Sequence, residues 1–315
     1  MKRPIVRLSS LQLTNIKNVK NGTIYMPNTV NKILSADKAE ILGIYGQNGS
    51  GKTAIVDALY FLQKVMVGAD LDQSLEDYMT IDSDTAEIFA DFNIFMDGIV
   101  FEIGYTLSLS REEKEIVINR EILRSAKNEN GIRTNKTTFM DYQRDQTDVI
   151  FKPQKRLDEI LEANKEIKTD LIVARKMAEK SNCSYIFGES SREIFCREYK
   201  NGFQQFSVII SSLFEFALKD LFVIRNTHSG VISANFVLPM AFRIENDNIG
   251  AKGDFAVPLT EPILVDEERK NLLETIVEQI NIVLYTIIPG LQVTIKNYGK
   301  QSLDNGEEGW KLELM

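Results

Sequence analysis

Apolar and polar residues alternate along two long tracts of this chain and recur at helical spacing along two others, and that contrast lays out its elements. Near the N-terminus Val6, Leu8, Leu11 and Leu13 are apolar among polar neighbours, and Gly22-Thr23-Ile24-Tyr25-Met26 follows a turn-prone stretch, Asn15 to Asn21. Two strands joined by a polar turn are predicted. Residues 27–38 read as a loop. The second alternating tract, 86–109, carries Ile88, Phe89, Phe92, Ile94 and Phe95 before Asp97-Gly98, then Ile99, Phe101, Ile103, Tyr105 and Leu107 after it. Asp-Gly between such runs predicts a tight hairpin. Residues 115–123 extend this meander by a third strand. Residues 125–146 hold little that is apolar beyond Ile132, Phe139 and Met140, so a loop or weak hairpin is expected there.

The pattern changes near Lys152. Leu157, Ile160, Leu161, Ile167, Leu171, Ile172 and Met177 recur at helical spacing among charges, which predicts an exposed amphipathic helix. A more apolar helical stretch, 203–223, is expected to pack inside, and the two together suggest a helical insertion. Strand-like patterns return over 231–242. A Gly/Pro-punctuated loop (246–262), a helix (267–287) and two closing strands (291–297 and 310–314) complete the chain.

Between the two alternating tracts lies the segment with chemistry. The apolar run Glu40-Ile41-Leu42-Gly43-Ile44-Tyr45 predicts a buried parallel strand, and an amphipathic helix is predicted from Thr53 to about Val67. Between them stands Gly46-Gln47-Asn48-Gly49-Ser50-Gly51-Lys52-Thr53, a complete G-x-x-x-x-G-K-[ST] phosphate-binding loop. A side chain at Gly46, Gly49 or Gly51 would keep backbone N–H groups from curling around a phosphate or resist the dihedrals of the turn. The amides of Gly46, Asn48, Gly49, Ser50, Gly51, Lys52, Thr53 and Ala54 and the positive end of the helix face an anion. Lys52 adds a full charge within reach of the β- and γ-phosphates, stabilising the transferring group, and Thr53 offers its hydroxyl to Mg²⁺.

Size and charge fit a globular protein with this function. The 315 residues suffice for one large or two ordinary domains, and 43% hydrophobic content is normal for a packed interior. A net charge of −8, with the two signs interleaved, argues against a protein that coats nucleic acid, although it leaves room for a local basic patch. Cys183 and Cys196 are the only cysteines, in no metal-ligand spacing, which points to a reduced cytoplasm and ordinary thiols. No stretch approaches a membrane span.

Other strings compete for a role. Ile263-Leu264-Val265-Asp266-Glu267 has the form of an ATPase strand ending in Asp-Glu, where the Asp would hold Mg²⁺ through water and Glu267 would polarise the attacking water. Pro262 precedes only three apolar residues, however, and Glu268-Arg269-Lys270 leads straight into a helical pattern. Asp266 as a helix N-cap is the favoured reading, with Glu267 kept as a catalytic candidate. Asp247-Asn248-Ile249-Gly250 matches the DxxG of GTPases, but Asn164-Lys165 is followed by Glu166-Ile167, so the guanine-reading string is missing. His228 is the single histidine and reads as a surface-loop residue.

The string from Ile44 to Thr53, set after a strand that carries Thr14-Asn15-Ile16-Lys17-Asn18 and followed by Asp57-Ala58-Leu59, resembles the ABC-type ATPase heads of the SMC/RecF/OLD group. In particular it looks like the prokaryotic AAA family ATPases of anti-phage and abortive-infection systems, and Gly-x-Asn-Gly-Ser-Gly-Lys-[ST] is the preferred form of the loop in the group. More weakly, the likeness runs through the Asp97-Gly98 hairpin, the helical insertion and the helix ending at Ile288-Pro289-Gly290. It implies an α/β, P-loop ABC-type ATPase head with an antiparallel β-meander and a helical insertion. Also implied are ATP with Mg²⁺ and a cytoplasmic homodimer that sandwiches two ATP molecules between heads, with an effector protein or DNA as further partners. Lys17 would approach the nucleotide.

The chain departs from that group in lacking a signature serine motif and a switch histidine after an Asp-Glu strand, and Lys311-Leu312-Glu313-Leu314-Met315 stops in mid-strand. An incomplete, N-terminal part of a head is therefore expected, in three segments: a phosphate-loop lobe with the meander (1–150), the helical insertion (151–225) and a return to the head (226–315) that ends before the signature and Walker B region. The expected function is ATP binding, with hydrolysis when complete and dimerised, in phage defence or DNA repair. The alternative is a nucleotide-gated module that controls a nuclease or toxin, hydrolysis being secondary. A small-molecule kinase is disfavoured because the β-rich segment after the first helix does not look like a kinase lid.

Overall fold

The structure is a computed structural model and describes residues 3–71, 78–112, 115–146, 149–163, 167–196, 204–221, 223–226, 232–234, 237–240, 255–258, 263–264, 274, 277–278, 281–282, 285, 292–299 and 309–314. The chain divides into two compact units, Met1–Leu221 and Phe222–Met315. Each is mixed or strand-rich in its own way, and the first carries both the phosphate loop and the helical segment.

The first unit is built on a seven-stranded sheet. Its strands are β1 (Ile5–Ile16), β2 (Val19–Tyr25), β3 (Thr85–Met96), β4 (Ile99–Glu112), β5 (Glu115–Glu129), β6 (Ile132–Arg133) and β7 (Thr137–Gln143), in the order β2-β1-β3-β4-β5-β6 with β7 also on β5. Every pairing in it is antiparallel. The predicted Asp97-Gly98 hairpin forms as a two-residue loop between paired Met96 and Ile99, with φ 47° and 80° at its two residues. Positive φ at both central positions is what the right-handed twist of the flanking strands selects.

One detail of the first strand follows from its apolar spacing. Val6 and Leu8 lie on even positions but Leu11 and Leu13 on odd ones, and a strand of strict period two would send the two pairs to opposite faces. The register against β3 shifts between Leu8 and Ser10, a β-bulge that absorbs the extra residue. Val6, Leu11 and Leu13 then all stand opposite buried β3 residues, Ile94, Ala90 and Ile88.

The polar stretch 125–146, expected to be a loop or a weak hairpin, is largely sheet, so the hairpin alternative holds and the loop does not. β5 runs on to Glu129, and Asn130-Gly131 turns it into β6 with φ 52° and 80°. Asn-Gly is itself a tight-hairpin signal, and the low apolar content masked it. β7 then pairs with β5 and buries Phe139, Met140 and Tyr142.

The helices of this unit are α1 (Pro27–Val30), α2 (Lys52–Met66), α3 (Gln154–Ala163), α4 (Ile167–Ser181), α5 (Glu189–Phe195) and α6 (Gln204–Glu215), the last running into a π-helical turn, Phe216–Asp220. The predicted amphipathic stretch is thus two helices, α3 and α4. It buries Leu157, Ile160, Ile167 and Leu171 and leaves Val173 and Met177 exposed. Aromatic rings join helices to sheet: Phe206 of α6 lies 4.4 Å from Phe139 and 5.8 Å from Phe195, and Phe216 meets Phe92 of β3 edge-on at 5.7 Å. Fully burying such a side chain stabilises the unit by about 2–3 kcal/mol.

A buried polar knot ties the helical segment to the sheet. Glu121 of β5 is fully buried; Tyr105 and Ser184 hydroxyls donate to its Oε1 at 2.6 Å each, and the Tyr185 amide donates to Oε2 at 2.7 Å. Burial raises the Glu121 pKa above the usual carboxylate value against the lowering effect of these bonds.

In the second unit β8 (Ile224–Asn226) pairs with β9 (Ile232–Ala234), and β10 (Val237–Met240) with β11 (Phe255–Pro258). β14 (Gly309–Leu314) lies between β12 (Ile263–Leu264) and β13 (Val293–Gly299), antiparallel to both. Residues 274, 277–278, 281–282 and 285 are helical, within the helix predicted over 267–287.

Candidate functional site

The phosphate loop leads directly into α2. Gly51 is the N-cap in the left-handed region, φ 89°, with no side chain capping the first turn, so the helix presents uncapped amides where an anion would sit. Gly49 is left-handed as well, φ 83°. An L-residue would be strained at either position. At Gly46 the constraint is space, since an added Cβ would lie 2.7 Å from the Ser50 hydroxyl.

Lys52 is folded back on its own loop: its Nζ donates to the Gly46 carbonyl at 2.6 Å and to the Gln47 carbonyl at 2.7 Å. No carboxylate pairs with it among the described residues. Its full positive charge is therefore met only by neutral dipoles, a state that an incoming anion improves. The Ser50 amide donates to the Gln47 carbonyl at 3.2 Å, closing a turn. Gly46, Asn48, Gly49, Ser50 and Thr53 are exposed, and Lys52 is half-buried. Ala54 differs: its side chain is buried and its amide donates to the Gly51 carbonyl at 3.1 Å, so that N–H closes the first turn of the helix.

The context before the loop corrects the sequence expectation. Residues 40–45 form no strand; Ile41 and Tyr45 are each 93% exposed. A parallel strand needs a neighbour to take up its amides and carbonyls, and every strand pairing among the described residues is antiparallel and excludes this segment.

The β1–β2 turn stands against the loop. Asn18 Nδ2 donates to the Gly49 carbonyl, and a Cβ on Gly51 would lie 2.5 Å from Val19 Cγ2. Lys17, implied by resemblance to reach the nucleotide, forms an ion pair with Asp57 of α2 and lies over the Tyr78 ring, 5.4 Å from its centre. Its backbone is pinned on both sides: the Lys17 amide donates to the Tyr78 carbonyl at 2.8 Å, and the Thr80 hydroxyl donates to the Lys17 carbonyl at 2.7 Å. Asn18, Val19, Asp57, Tyr78 and Thr80 were not assigned roles by the sequence. Only a polar turn between two strands hinted at the first two.

Of the remaining candidates, Asp266 and Glu267 lie outside the described residues, as do Asp247 to Gly250 and His228. Ile263 and Leu264, the start of the Asp-Glu run, pair antiparallel with Trp310 and Gly309. Cys183 and Cys196 are half-buried free thiols; burial pushes Cys183 up to about 11 and raises Cys196, so neither is an activated nucleophile at neutral pH. No group of three or more His, Cys, Asp or Glu side chains is arranged to hold a metal ion among the described residues. No helix of those residues is long and apolar enough to cross a membrane.

Residues 41–169 match the family model described as "AAA domain, putative AbiEii toxin, Type IV TA system". The phosphate loop thus lies within the residues that the family model matches. The match runs over the segment before the loop, α2, the meander and the start of α4. Among solved structures, the chain is similar to "Structure of the recombination mediator protein RecF-ATP in RecFOR pathway", at 12% identity and a TM-score of 0.29. The overlap covers 96% of this chain and 63% of that one, so this chain spans less than two thirds of the RecF chain. No curated protein matches.

Proposed function

We propose that the chain is an ATP-binding, ABC/SMC-like P-loop module. The observation that carries this reading is the loop itself: left-handed Gly49 and Gly51, uncapped amides at the start of α2, and a Lys52 ammonium held, among the described residues, by the carbonyls of Gly46 and Gln47. Phosphate oxygens are stronger acceptors for that ammonium than carbonyls, so triphosphate entry draws Lys52 off the loop and frees both carbonyls. The Gly49, Ser50, Gly51, Lys52 and Thr53 amides close around the phosphates. The exposed Thr53 hydroxyl, on the first turn of α2, is placed to be one of the few protein ligands that Mg²⁺ takes beside phosphate oxygens and water. When bound, the ion supplies charge neutralisation on the phosphates.

The module acts in phage defence or DNA repair, hydrolysing ATP when complete and dimerised, as a homodimer that sandwiches two nucleotides. The toxin named in the description of the matching family supports the defence setting. The same description favours a second reading, in which ATP occupancy orders a surface for an effector and hydrolysis is secondary. Titration of Mg-ATP by calorimetry, with phosphate release measured on the same sample, tests the first reading. Binding is expected, with turnover low in the isolated chain; a chain that binds no Mg-ATP refutes the assignment. Turnover stimulated by DNA favours the repair ATPase. A stable effector complex that is indifferent to blocked hydrolysis favours the gated module. Glu267→Gln adds one more arm: loss of turnover with binding intact would make Glu267 the water-polarising group.

A further inference from the structure

We propose that Asn18 is a positioning residue of the phosphate loop, holding the peptide between Gly49 and Ser50 in the orientation an anion requires. The inference rests on the nucleotide-binding reading above and names a residue outside the G-x-x-x-x-G-K-[ST] string.

Three observations carry it. First, Asn18 Nδ2 donates to the Gly49 carbonyl, and among the described hydrogen bonds this is the one that ties residues 41–51 to the sheet. Second, the donor sits on a fixed base. Asn18 lies in the two-residue turn between paired Ile16 and Val19, beside a Lys17 whose amide, carbonyl and ammonium are all engaged by Tyr78, Thr80 and Asp57. Third, Val19 of the same turn fills the space where a side chain on Gly51 would go, so the turn braces the loop at both left-handed glycines.

The geometry of a trans peptide turns this contact into a function. In a planar trans unit the C=O of one residue and the N–H of the next point in opposite directions. Holding the Gly49 oxygen toward Asn18 therefore aims the Ser50 N–H the other way, where it now donates to the Gln47 carbonyl. That carbonyl also accepts from Lys52 Nζ, so the Ser50 amide and the Lys52 ammonium converge on a single oxygen. A phosphate oxygen taking its place would receive both donors without any rotation of the Gly49–Ser50 peptide. Without Asn18 the peptide is free to flip, which would turn a carbonyl oxygen toward the phosphates and remove an amide from them. Glycine at position 49 makes that flip easy, because both hands of φ are open to it.

The test is calorimetric titration of Mg-ATP, and separately of magnesium pyrophosphate, into the wild-type chain, Asn18→Ala, Asn18→Asp and Lys52→Ala, with thermal unfolding of each. Asn18→Ala is expected to weaken both ligands about tenfold, the scale of one lost hydrogen bond that orders a binding group, with an unchanged unfolding midpoint. Asn18→Asp keeps the shape but sets an acceptor against the Gly49 oxygen and is expected to lose more. Equal losses for pyrophosphate and ATP locate the effect at the phosphates. Wild-type affinity in a folded Asn18→Ala, with Lys52→Ala inactive in binding, would overturn the role of Asn18 and leave the nucleotide reading standing. Loss in Asn18→Ala that follows a lowered unfolding midpoint would overturn it too, marking the contact as structural. A wild-type chain that binds neither ligand would remove the nucleotide reading and this inference together.

Discussion

Residues 41–45, an apolar run, and residues 88–94, an alternating one, are both β-forming stretches of the same unit, and their fates are opposite. Ile88 and Ile94 are almost wholly buried in a strand hydrogen-bonded on both sides, whereas Ile41 and Tyr45 are 93% exposed in a segment with no strand partner among the described residues. The runs differ less in composition than in what the rest of the chain offers them. β3 has antiparallel neighbours on both sides, β4 through the two-residue Asp97-Gly98 turn and β1 from the start of the chain, with β2 and α2 between them in sequence. The run before the phosphate loop calls for a parallel neighbour, which needs a crossover connection. Propensity says that a segment can be a strand, while a partner decides whether it is one.

That comparison can be broken most forcefully inside the sheet. Phe92→Ala should destabilise the first unit by about 3–5 kcal/mol, because it empties space between β3 and the ring of Phe216; denaturant unfolding would measure it, and a loss under about 1 kcal/mol would mean the contact is not core packing. Lys52→Ala should leave the fold intact and reduce Mg-ATP affinity by about a hundredfold or more, the scale of charge-assisted hydrogen bonds, as read by calorimetry. Unchanged affinity in a folded variant would sink the phosphate-loop assignment.

A smaller effect comes from Glu121. Its folded pKa is raised by burial, so between the ordinary carboxylate value and the raised folded value the native chain binds more protons than the unfolded one. Stability from this group is fully present below the unfolded pKa and is lost as pH rises through the folded one. Glu121→Gln should remove that part of the slope when unfolding is followed from pH 4 upward; an unaltered slope would show that Glu121 does not contribute it. The smallest effect is expected where the comparison began: Tyr45→Ser should change stability by no more than about 0.5 kcal/mol, as at other exposed sites without special contacts. A loss of 2 kcal/mol would reveal that the segment is packed in solution.

Much of the first unit was legible in its sequence. The alternation of β3 and β4, the Asp97-Gly98 turn and the helix after Lys52 all form as expected, because each is governed by residues close together in the chain. The bulge at Ser9 was encoded as well, in the change of apolar parity from Val6 and Leu8 to Leu11 and Leu13. The β5–β6 hairpin was legible only as one of two alternatives, a loop or a weak hairpin, although Asn130-Gly131 announced it, since its strands lie among polar residues whose burial only the sheet reveals. At the site, the glycines and Lys52 could be read directly, whereas Asn18 could not, because its partner Gly49 is 31 residues away.

The sequence by itself determined the local chemistry: the dihedral freedom at Gly49 and Gly51, the charge of Lys52, the start of α2 and the turns of the meander. Tertiary structure alone decided which strands found neighbours, that Glu121 is buried among hydroxyls and amides, and that the Lys17-Asn18 turn braces the phosphate loop. The reason is the range of the forces involved. Dihedral preference and helix start signals act within a few residues, whereas hydrogen-bond pairing, burial and the placing of one side chain against a distant carbonyl depend on where the whole unit brings its segments together.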